Sequence, residues 1–493
     1  MLPYQDNTII GTATPTITNE FNSLTDIGWY GSAYRLTTCS TQIFFGKVYE
    51  EFRVKWVLLM AVGILEVGSI VSAAASSSAA FIIGRAIAGC GASGILTGVL
   101  IAISTSVPPR WRPICNSTIG GIETIAMVVA PVIGGTLTTR ISWRWCFWIN
   151  LPLGGFTMIV IMALFRNPAH QKVSEDSFLS KIKKLHVSHL IIFTASIVCL
   201  LLALEWGGVS LAWTDIKVIA LLVIFGSTFG VFVALEMLQK GRGTIPRSVL
   251  FDRTAGLCLL YAFCAAAAFN VTDYFLPIWF QAIKGATAEQ SGQMLLPSIV
   301  GLSIAAISSG FILSYVAYYT PLMLCGSVCM IIGFSFLTDF TPDTGHAAWI
   351  GWQVMFSVGL GLAFPQSWSA TQAALKPNDI PAGMAAVGFS ISIGGALFIS
   401  ISQNIFANLL QKGLSSVPGL DVDGIISRGA TSFLEIVPAP KRDQVLGIYN
   451  HAITMTFWAS VAVACLGLVA ALCMEWKSIK PVNEIIDGEE ERI

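Results

Sequence analysis

The sequence has few charged residues for its length. Only 11% of its 493 residues are Asp, Glu, Lys or Arg, whereas a soluble domain carries about 25%. Hydrophobic residues make up 54%, and the mean hydropathy is +0.72. So little charge leaves too little polar surface to coat a soluble globule, which indicates a protein surrounded by lipid. Lys+Arg and Asp+Glu are both 28, so the net charge gives no indication of a nucleic-acid partner, and we predict none.

The sequence also lacks the residue clusters that metal sites, ATPases and enzymes need. Its eleven cysteines fall in apolar stretches without metal-ligand spacing, so we interpret them as small apolar helix residues. The five histidines are scattered over loops and span ends, which argues against a membrane-embedded enzyme. Walker motifs are absent from this chain, and no Gly/Thr loop resembles a channel filter. We therefore predict no enzyme activity, no cofactor and no metal.

Long apolar runs fill the chain instead. A helix that crosses a bilayer needs about 20 mostly apolar residues, and a lipid-exposed backbone has to satisfy its own hydrogen bonds, so such runs form helices. Fourteen spans are predicted, at residues 2–18, 28–46, 56–76, 79–105, 114–138, 144–165, 187–206, 216–238, 255–282, 292–315, 319–338, 348–372, 382–410 and 451–475.

The Lys and Arg residues of the loops are distributed unevenly. With the loop after the second span placed inside, 18 of them lie inside and 8 outside, while Arg35 and Arg85 lie within spans. Cytoplasmic loops carry the excess of Lys and Arg. The sequence therefore predicts a multi-pass protein with both termini in the cytoplasm.

Polar segments divide the chain into six spans, two extra spans and six more. Residues 1–165 form the first half, 166–254 hold two basic linkers and the extra spans, and 255–475 form the second half. A long outside loop is expected at 411–450. An acidic tail, predicted to be disordered, follows at 476–493.

Three motifs stand in order along the first half. The loop after span two reads Gly46-Lys-Val-Tyr-Glu50-Glu-Phe-Arg53-Val-Lys55, and span four carries Arg85-Ala-Ile-Ala-Gly89-Cys-Gly91. Span five carries Ala130-Pro131-Val-Ile-Gly134-Gly135, followed by Trp-Arg-Trp-Cys-Phe-Trp-Ile-Asn-Leu-Pro at 143–152. These segments resemble the loop motif, the span-four motif and the antiporter motif of the major facilitator superfamily. Together with the inserted span pair, they are similar to its fourteen-span drug:proton antiporter branch, in particular to fungal exporters of secondary metabolites such as the gliotoxin and aflatoxin pumps.

The resemblance covers residues from about Gln5 to Trp476, with departures. Glu50 replaces Asp, Arg53 replaces Gly, and Ala130 replaces a central Gly. The segment that begins Asp6-Asn-Thr8 resembles the second half of the family's first span, but the half-span before it is missing. From Leu2 to Thr18 a helix rises about 25 Å, less than the roughly 30 Å hydrocarbon core. We expect a misassigned start codon rather than local thinning of the bilayer.

The resemblance implies an all-α major facilitator fold with two six-helix halves and two extra central spans. It implies proton-coupled efflux of small amphipathic molecules (a drug, a toxin or a secondary metabolite) by alternating access at the plasma membrane, by a monomer; a vacuolar membrane is the alternative location. Uptake of a nutrient or siderophore by the same fold is the alternative function. The Pro131–Gly135 motif favours export, since uptake branches generally lack it.

Ionisable residues at membrane depth are functional candidates because they are costly there. We predict that protons couple through Arg85, Asp6, Glu123, Asp273 and Glu66. Arg85 needs a carboxylate or carbonyl partner, for which Asp6 is a candidate; a purely structural tie remains the alternative. Glu123 could instead snorkel to the surface, and Asp273 could lie in water at the outer end or bind substrate. Arg35 could pair with Glu66 or Asp6.

Two further groups of residues are predicted to act in gating and in binding. Charges around Gly46, Glu50, Arg53 and Lys55 are expected to join neighbouring cytoplasmic helix ends and to separate during the switch, although ordinary positive-inside charge explains them too. Aromatic and polar residues in both halves are candidates for a pocket that takes flat apolar substrates, although lipid-facing aromatics are common. These pocket candidates are Trp29, Tyr34, Tyr274, Gln281, Gln366 and Asn404.

Overall fold

The computed structural model describes residues 2–21, 23, 26–167, 180–181, 185–208, 211–238, 246–418, 420 and 437–478. Within these ranges the chain forms helices joined by short turns, with no β-strand. Most of the predicted basic linkers, the middle of the predicted outside loop and the acidic tail lie outside the described residues. The helices are α1 (Leu2–Phe21), α2 (Ile27–Glu51), α3 (Val54–Ala73), α4 (Ser78–Ser106), α5 (Arg112–Arg140), α6 (Trp145–Trp148), α7 (Asn150–Leu164), α8 (Val187–Trp206), α9 (Ile216–Leu238), α10 (Arg247–Phe251), α11 (Arg253–Ala282), α12 (Ala288–Met294), α13 (Leu296–Val316), α14 (Thr320–Thr338), α15 (His346–Ala374), α16 (Ile380–Ser415) and α17 (Arg442–Cys473).

These helices reproduce the predicted spans, with α6 and α7 sharing one span and α12 and α13 another. Among the described residues, eleven helical segments are long and apolar enough to cross a membrane. The remaining three spans, α1, α2 and α5, are more polar, and polar side chains of α2 bond inside the bundle. Thr38 Oγ1 donates to Gly89 O at 3.0 Å, and Thr41 and Ser93 share a hydrogen bond of 2.7 Å. The all-α polytopic fold is thereby confirmed.

Several helix ends differ from the prediction. The first helix ends at Phe21 instead of Thr18, and its 20 residues rise about 30 Å. The predicted outside loop is shorter, because α16 continues to Ser415 and α17 already begins at Arg442. Hydropathy marks only the apolar part of a helix, whereas backbone hydrogen bonding continues through its polar ends.

Prolines and caps mark where many helices begin. Pro113, Pro297, Pro321 and Pro381 stand in the first turns of α5, α13, α14 and α16, where proline's missing N–H costs nothing. At the start of α11, the carboxylate of Asp252 accepts from the backbone N–H of Ala255 at 2.9 Å. The local sequence therefore favours these helix starts.

Helix α4 is the centre of the N-terminal group, α1 to α7, because its glycines let two neighbours approach. A Cβ at Gly91 would lie 2.3 Å from the backbone N of Leu65 in α3, and one at Gly89 would lie 2.3 Å from Tyr34 O in α2. The glycines of α4 therefore form a small-residue face that serves two neighbouring helices.

The C-terminal group, α11 to α17, has the largest apolar core. Helix α11 packs against α16 and α17, and α15 packs against α13 and α14. Aromatic rings fill the spaces between them, as in the stacked pair Phe334 and Phe356, with centroids 4.9 Å apart. The extra helix α8 packs against α9, and also against α2 and α16, so it touches both groups.

Candidate functional site

A buried ion pair joins α1 to α4. The Arg85 side chain is fully buried and its Nη1 donates to Asp6 Oδ2. Its Nε donates to the backbone carbonyl of Tyr30 at 3.2 Å. Because a guanidinium keeps its proton in a protein, these acceptors are what make its burial tolerable. No described residue accepts from its Nη2.

The Asp6 carboxylate has a second partner on another helix. Its Oδ1 accepts from Asn150 Nδ2 at 2.9 Å, and the same Nδ2 lies 3.1 Å from Ser69 Oγ. Asp6, Asn150 and Ser69 are all buried. The Asp6 carboxylate therefore links α1, α3, α4 and α7 through hydrogen bonds. A change in its charge would alter the contacts between these four helices.

Aromatic rings enclose the guanidinium. The Arg85 Cζ lies 4.5 Å from the centroid of the Tyr34 ring and 5.7 Å from that of Phe147. The Tyr34 hydroxyl donates to Pro3 O at 2.8 Å, which holds the ring against α1. Such faces stabilise a cation through the ring quadrupole. The charge of the buried Asp6 is balanced by Arg85, and the Asn150 amide donates a hydrogen bond to it.

A second carboxyl group lies beside this cluster without a donor. Both Glu66 oxygens are buried and have no hydrogen-bond partner among the described residues. Oε1 occupies the space above Gly154, where a Cβ would lie only 1.7 Å from it. Glu66 also interacts electrostatically with Asp6. Glu66 and Asp6 are thus neighbouring carboxyl groups of the N-terminal group.

The antiporter motif packs beside α1. Ala130 is buried in one apolar cluster with Ile9, Ile10 and Ala13 of α1. Pro131 lies within α5, and Gly134 O accepts a hydrogen bond from Cys146 Sγ at 3.7 Å. Gly135 has open space at its Cβ position. The motif therefore lies against the helix that carries Asp6.

The two groups of helices meet closely at one end. Helices α2 and α4 end there, and α5, α11 and α16 begin there. We call it the basic end because most of the Lys and Arg residues of the loops lie on this side. A Cβ at Gly46 would lie 2.4 Å from Ala385 Cβ in α16. On the other seam, Ser117 of α5 and Ser309 of α13 lie 3.3 Å apart at their hydroxyls. The basic end is therefore closed in this structure.

The loop-motif charges make mostly local contacts at this end. Glu50 Oε2 pairs with Lys47 Nζ at 2.6 Å on the same helix, rather than with Arg53 or Lys55. Across the seam, Glu50 interacts electrostatically with Asp379, just before α16. Lys55 Nζ donates to Met162 O at 2.7 Å and so ties α3 to α7, while Arg53 is exposed.

The remaining charged candidates lie on α5 and α11. Glu123 is half-buried on α5, two turns before Pro131. Asp273 is exposed on α11, and it interacts electrostatically with Arg35, which is exposed on α2. Arg35 therefore faces the C-terminal group instead of Glu66 or Asp6, the partners that the sequence suggested.

The predicted pocket residues do not form one cluster. Tyr34 is part of the ion-pair site, and Trp29 packs on Trp206 of α8 with centroids 6.0 Å apart. Three amides bond within the protein: Gln281 to Ser291 at 3.5 Å, Gln366 to Leu362 O at 3.0 Å, and Asn404 to Trp213 at 2.6 Å. Tyr274 is exposed beside Asp273, and Gln366 Oε1 is buried without a partner among the described residues.

Sequence reasoning missed Asn150, Ser69 and Phe147. Asn150 and Phe147 stand inside the Trp-Arg-Trp segment at 143–152, so the motif was a signal, but nothing in it shows that Asn150 reaches Asp6, 144 residues earlier. Ser69 gives no signal in an apolar run.

Sequence comparison gives a consistent picture. The family profile described as Major Facilitator Superfamily matches residues 1–399. The chain is 42% identical to "MFS-type efflux pump MFS1" of Arthroderma benhamiae, over 96% of this chain and 89% of that protein. It is 42% identical to "Efflux pump aflT" of Aspergillus parasiticus, over 96% and 93%, and 40% identical to "Efflux pump roqT" of Penicillium rubens, over 96% and 88%.

Solved structures with the same fold have diverged much further in sequence. The proton:xylose symporter XylE is 14% identical with a TM-score of 0.56, covering 96% of this chain and 92% of that one. The human organic anion transporter MFSD10 is 10% identical with a TM-score of 0.56, covering 93% and 96%. At such identities the likeness concerns the fold alone.

Proposed function

This chain belongs to the major facilitator superfamily, and we propose that it exports small amphipathic organic molecules in exchange for protons. Relatives about 40% identical over nearly the whole chain are named efflux pumps. The antiporter motif, packed beside α1, supports export over uptake. The buried Asp6–Arg85 pair is the observation that carries the coupling to protons.

We propose transport by alternating access, in which the closed basic end represents one of two states. The excess of Lys and Arg in the loops at this end favours the cytoplasm as its location, with both termini inside. The structure would then represent a state closed to the cytoplasm. Export requires the opposite state as well, in which the Gly46–Ala385 and Ser117–Ser309 contacts separate and substrate enters from inside.

Proton binding acts on the Asp6–Arg85 pair. A proton on Asp6 removes the charge that balances Arg85, while the guanidinium keeps its own. Glu66, a neighbouring carboxyl without a donor, is the available alternative partner. If Arg85 moved from Asp6 to Glu66, α1 and α3 would shift relative to α4. The two pairings would then define two states, and protonation of Asp6 would favour the second.

Substrate efflux from yeast lacking its own exporters tests this function. Cells loaded with fluorescent amphipathic dyes, rhodamine 6G among them, are expected to expel dye only while a proton gradient exists. A protonophore should abolish efflux, and so should Arg85→Ala, whereas the exposed Arg140→Gln should leave it intact. Efflux that persists without the gradient would contradict proton exchange; dye accumulation instead of loss would indicate uptake.

We propose the plasma membrane as the site of action and the monomer as the functional unit. Each required element, the ion pair, the antiporter motif and the closing seams, lies within one chain. A tagged protein should therefore be found at the cell surface, and a dilute detergent-solubilised sample should retain substrate binding. Location in the vacuolar membrane would instead give sequestration of dye inside the cell.

A further inference from the structure

Two accessible side chains of opposite charge lie on opposite groups of helices. Arg35 belongs to α2 and Asp273 to α11, and each keeps exposed surface. They interact electrostatically, yet no hydrogen bond or ion pair joins them, although both are among the described residues. A space therefore separates the two charges.

Helical periodicity shows which way Arg35 faces. Residues seven apart lie on nearly the same side of a helix, and Gln42, seven residues after Arg35, meets Ser392 of α16 at 3.3 Å. Gly46, on the same side, contacts Ala385. Arg35 therefore projects from the face of α2 that contacts α16 at Gln42 and Gly46, and α8 at Gly28, and it lies farther from the basic end than the contacts with α16.

Asp273 lies at a similar level on the other side. It follows Arg253, the first residue of α11, by 20 residues, or about 30 Å along the helix. Arg35 precedes Glu51, the last residue of α2, by 16 residues, or about 24 Å. Asp273 keeps exposed surface and interacts electrostatically with Arg35, so we place both residues along a cleft between the two groups.

We propose that Arg35 and Asp273 form a binding site for zwitterionic substrates, in which Arg35 binds a carboxylate and Asp273 binds an ammonium group. The planar guanidinium fits a carboxylate through two parallel hydrogen bonds. A ligand with a single charge leaves the other protein charge without a partner, whereas a zwitterion satisfies both. This proposal names a substrate class for the proposed exporter and so rests on that function.

Binding of four related probes to the purified full-length protein tests the proposal. Norfloxacin is a zwitterion near neutral pH; its methyl ester keeps only the amine charge, its N-acetyl derivative keeps only the carboxylate, and the doubly modified compound has neither. Norfloxacin is expected to bind at least about tenfold more tightly than the other three, because each charge-assisted contact contributes about a factor of ten or more.

Substitutions identify which charged group of the ligand each residue binds. Arg35→Gln should remove the advantage that a carboxylate gives, and Asp273→Asn should remove the advantage that an amine gives. Arg140→Gln and Asp343→Asn, at exposed positions outside the cleft, are the matched controls and should keep the order of affinities. The charge-swapped pair Arg35→Asp with Asp273→Arg should regain the preference for norfloxacin that each single change loses, which also shows that the variants are folded.

The proposal is overturned if norfloxacin shows no preference over its derivatives, or if Arg35→Gln weakens all four probes alike. The second result would indicate a latch between the two groups of helices. Binding to the purified protein is measured without a proton gradient. The binding result therefore does not depend on whether the efflux test in cells supports proton exchange. If norfloxacin binds selectively but efflux does not depend on the proton gradient, the proposed coupling to protons is wrong and the proposed substrate class stands.

Discussion

The two groups of helices solve the problem of a buried interior differently. The N-terminal group encloses the Asp6–Arg85 pair together with Asn150 and Ser69. The C-terminal group, in its described residues, fills the same kind of space with a single large apolar cluster and aromatic pairs. A buried ion pair seldom adds stability over apolar packing. We therefore propose that the pair serves the change of state rather than stability.

The difference also separates two kinds of mutational effect. A substitution in the C-terminal core removes packing and should lower stability while leaving the response to protons as it was. A substitution in the N-terminal cluster alters a charge balance, so it should change the response to protons even where stability hardly moves. Three predictions test this division, and a fourth tests the seam between the two groups.

The largest effect is expected from Arg85→Ala. It leaves Asp6 as a buried charge without its partner, which costs about 3–5 kcal/mol of stability, and it should reduce efflux at least about a hundredfold. Thermal melting of the purified protein and dye efflux measure the two effects. Combining Arg85→Ala with Asp6→Asn should recover most of the stability and none of the efflux. Equal melting temperatures for the single and double variants would show that an unpaired charge on Asp6 does not destabilise the protein.

Phe356→Ala is the corresponding test in the C-terminal group. Phe356 stacks on Phe334 and is buried, so truncation should cost about 3–5 kcal/mol of stability. The pH dependence of the efflux that remains should match that of the unchanged protein. The exposed Phe311→Ala serves as control and should leave melting nearly unchanged. A shifted pH profile in Phe356→Ala would break the division between the two groups.

The seam between the groups gives the third prediction. Gly46→Val places a side chain where Ala385 already lies, so it should open the basic end. Labelling of a cysteine introduced at Ser117 by a membrane-permeant thiol reagent is expected to speed up several-fold. Gly31→Val, on the same helix with open space at its Cβ, is the matched control. If both variants label at the same rate, the close contact at Gly46 does not hold this end shut.

Glu66→Gln should have the smallest effect on stability and a specific effect on coupling. Its carboxyl oxygens have no donor to lose, so melting should shift by less than about 1 kcal/mol in free-energy terms. Efflux should slow several-fold and lose part of its pH dependence, because Arg85 no longer has a second carboxylate. If the pH profile of Glu66→Gln matches that of the unchanged protein, Glu66 only packs against Gly154 and has no part in coupling.

The spans and the glycine faces could be predicted because they depend on local composition. An apolar run of about 20 residues is readable without any contact, and the glycine spacing of α4 shows directly that neighbours approach it closely. The Asp6–Arg85 partnership was also within reach, since a buried arginine needs a carboxylate and Asp6 stands in a matching motif.

The rest depends on helix rotation and on contacts between distant residues. Nothing in the sequence shows that Asn404 meets Trp213 or that Gln281 meets Ser291, so these amides were predicted to line a pocket. The same holds for Arg35, whose facing follows from the packing of α2 against α16. Rotation of a nearly uniformly apolar helix is set by its neighbours, and hydropathy alone carries little information about it.

Proton movement in proteoliposomes tests the central claim most directly. A rhodamine 6G gradient is imposed across vesicles that contain the purified protein and a trapped pH indicator. The account predicts proton movement opposite to the dye in the unchanged protein, and none in Asp6→Asn. Proton movement of equal size in Asp6→Asn would contradict it, because the Asp6–Arg85 pair would then not be the site at which export and protons are coupled.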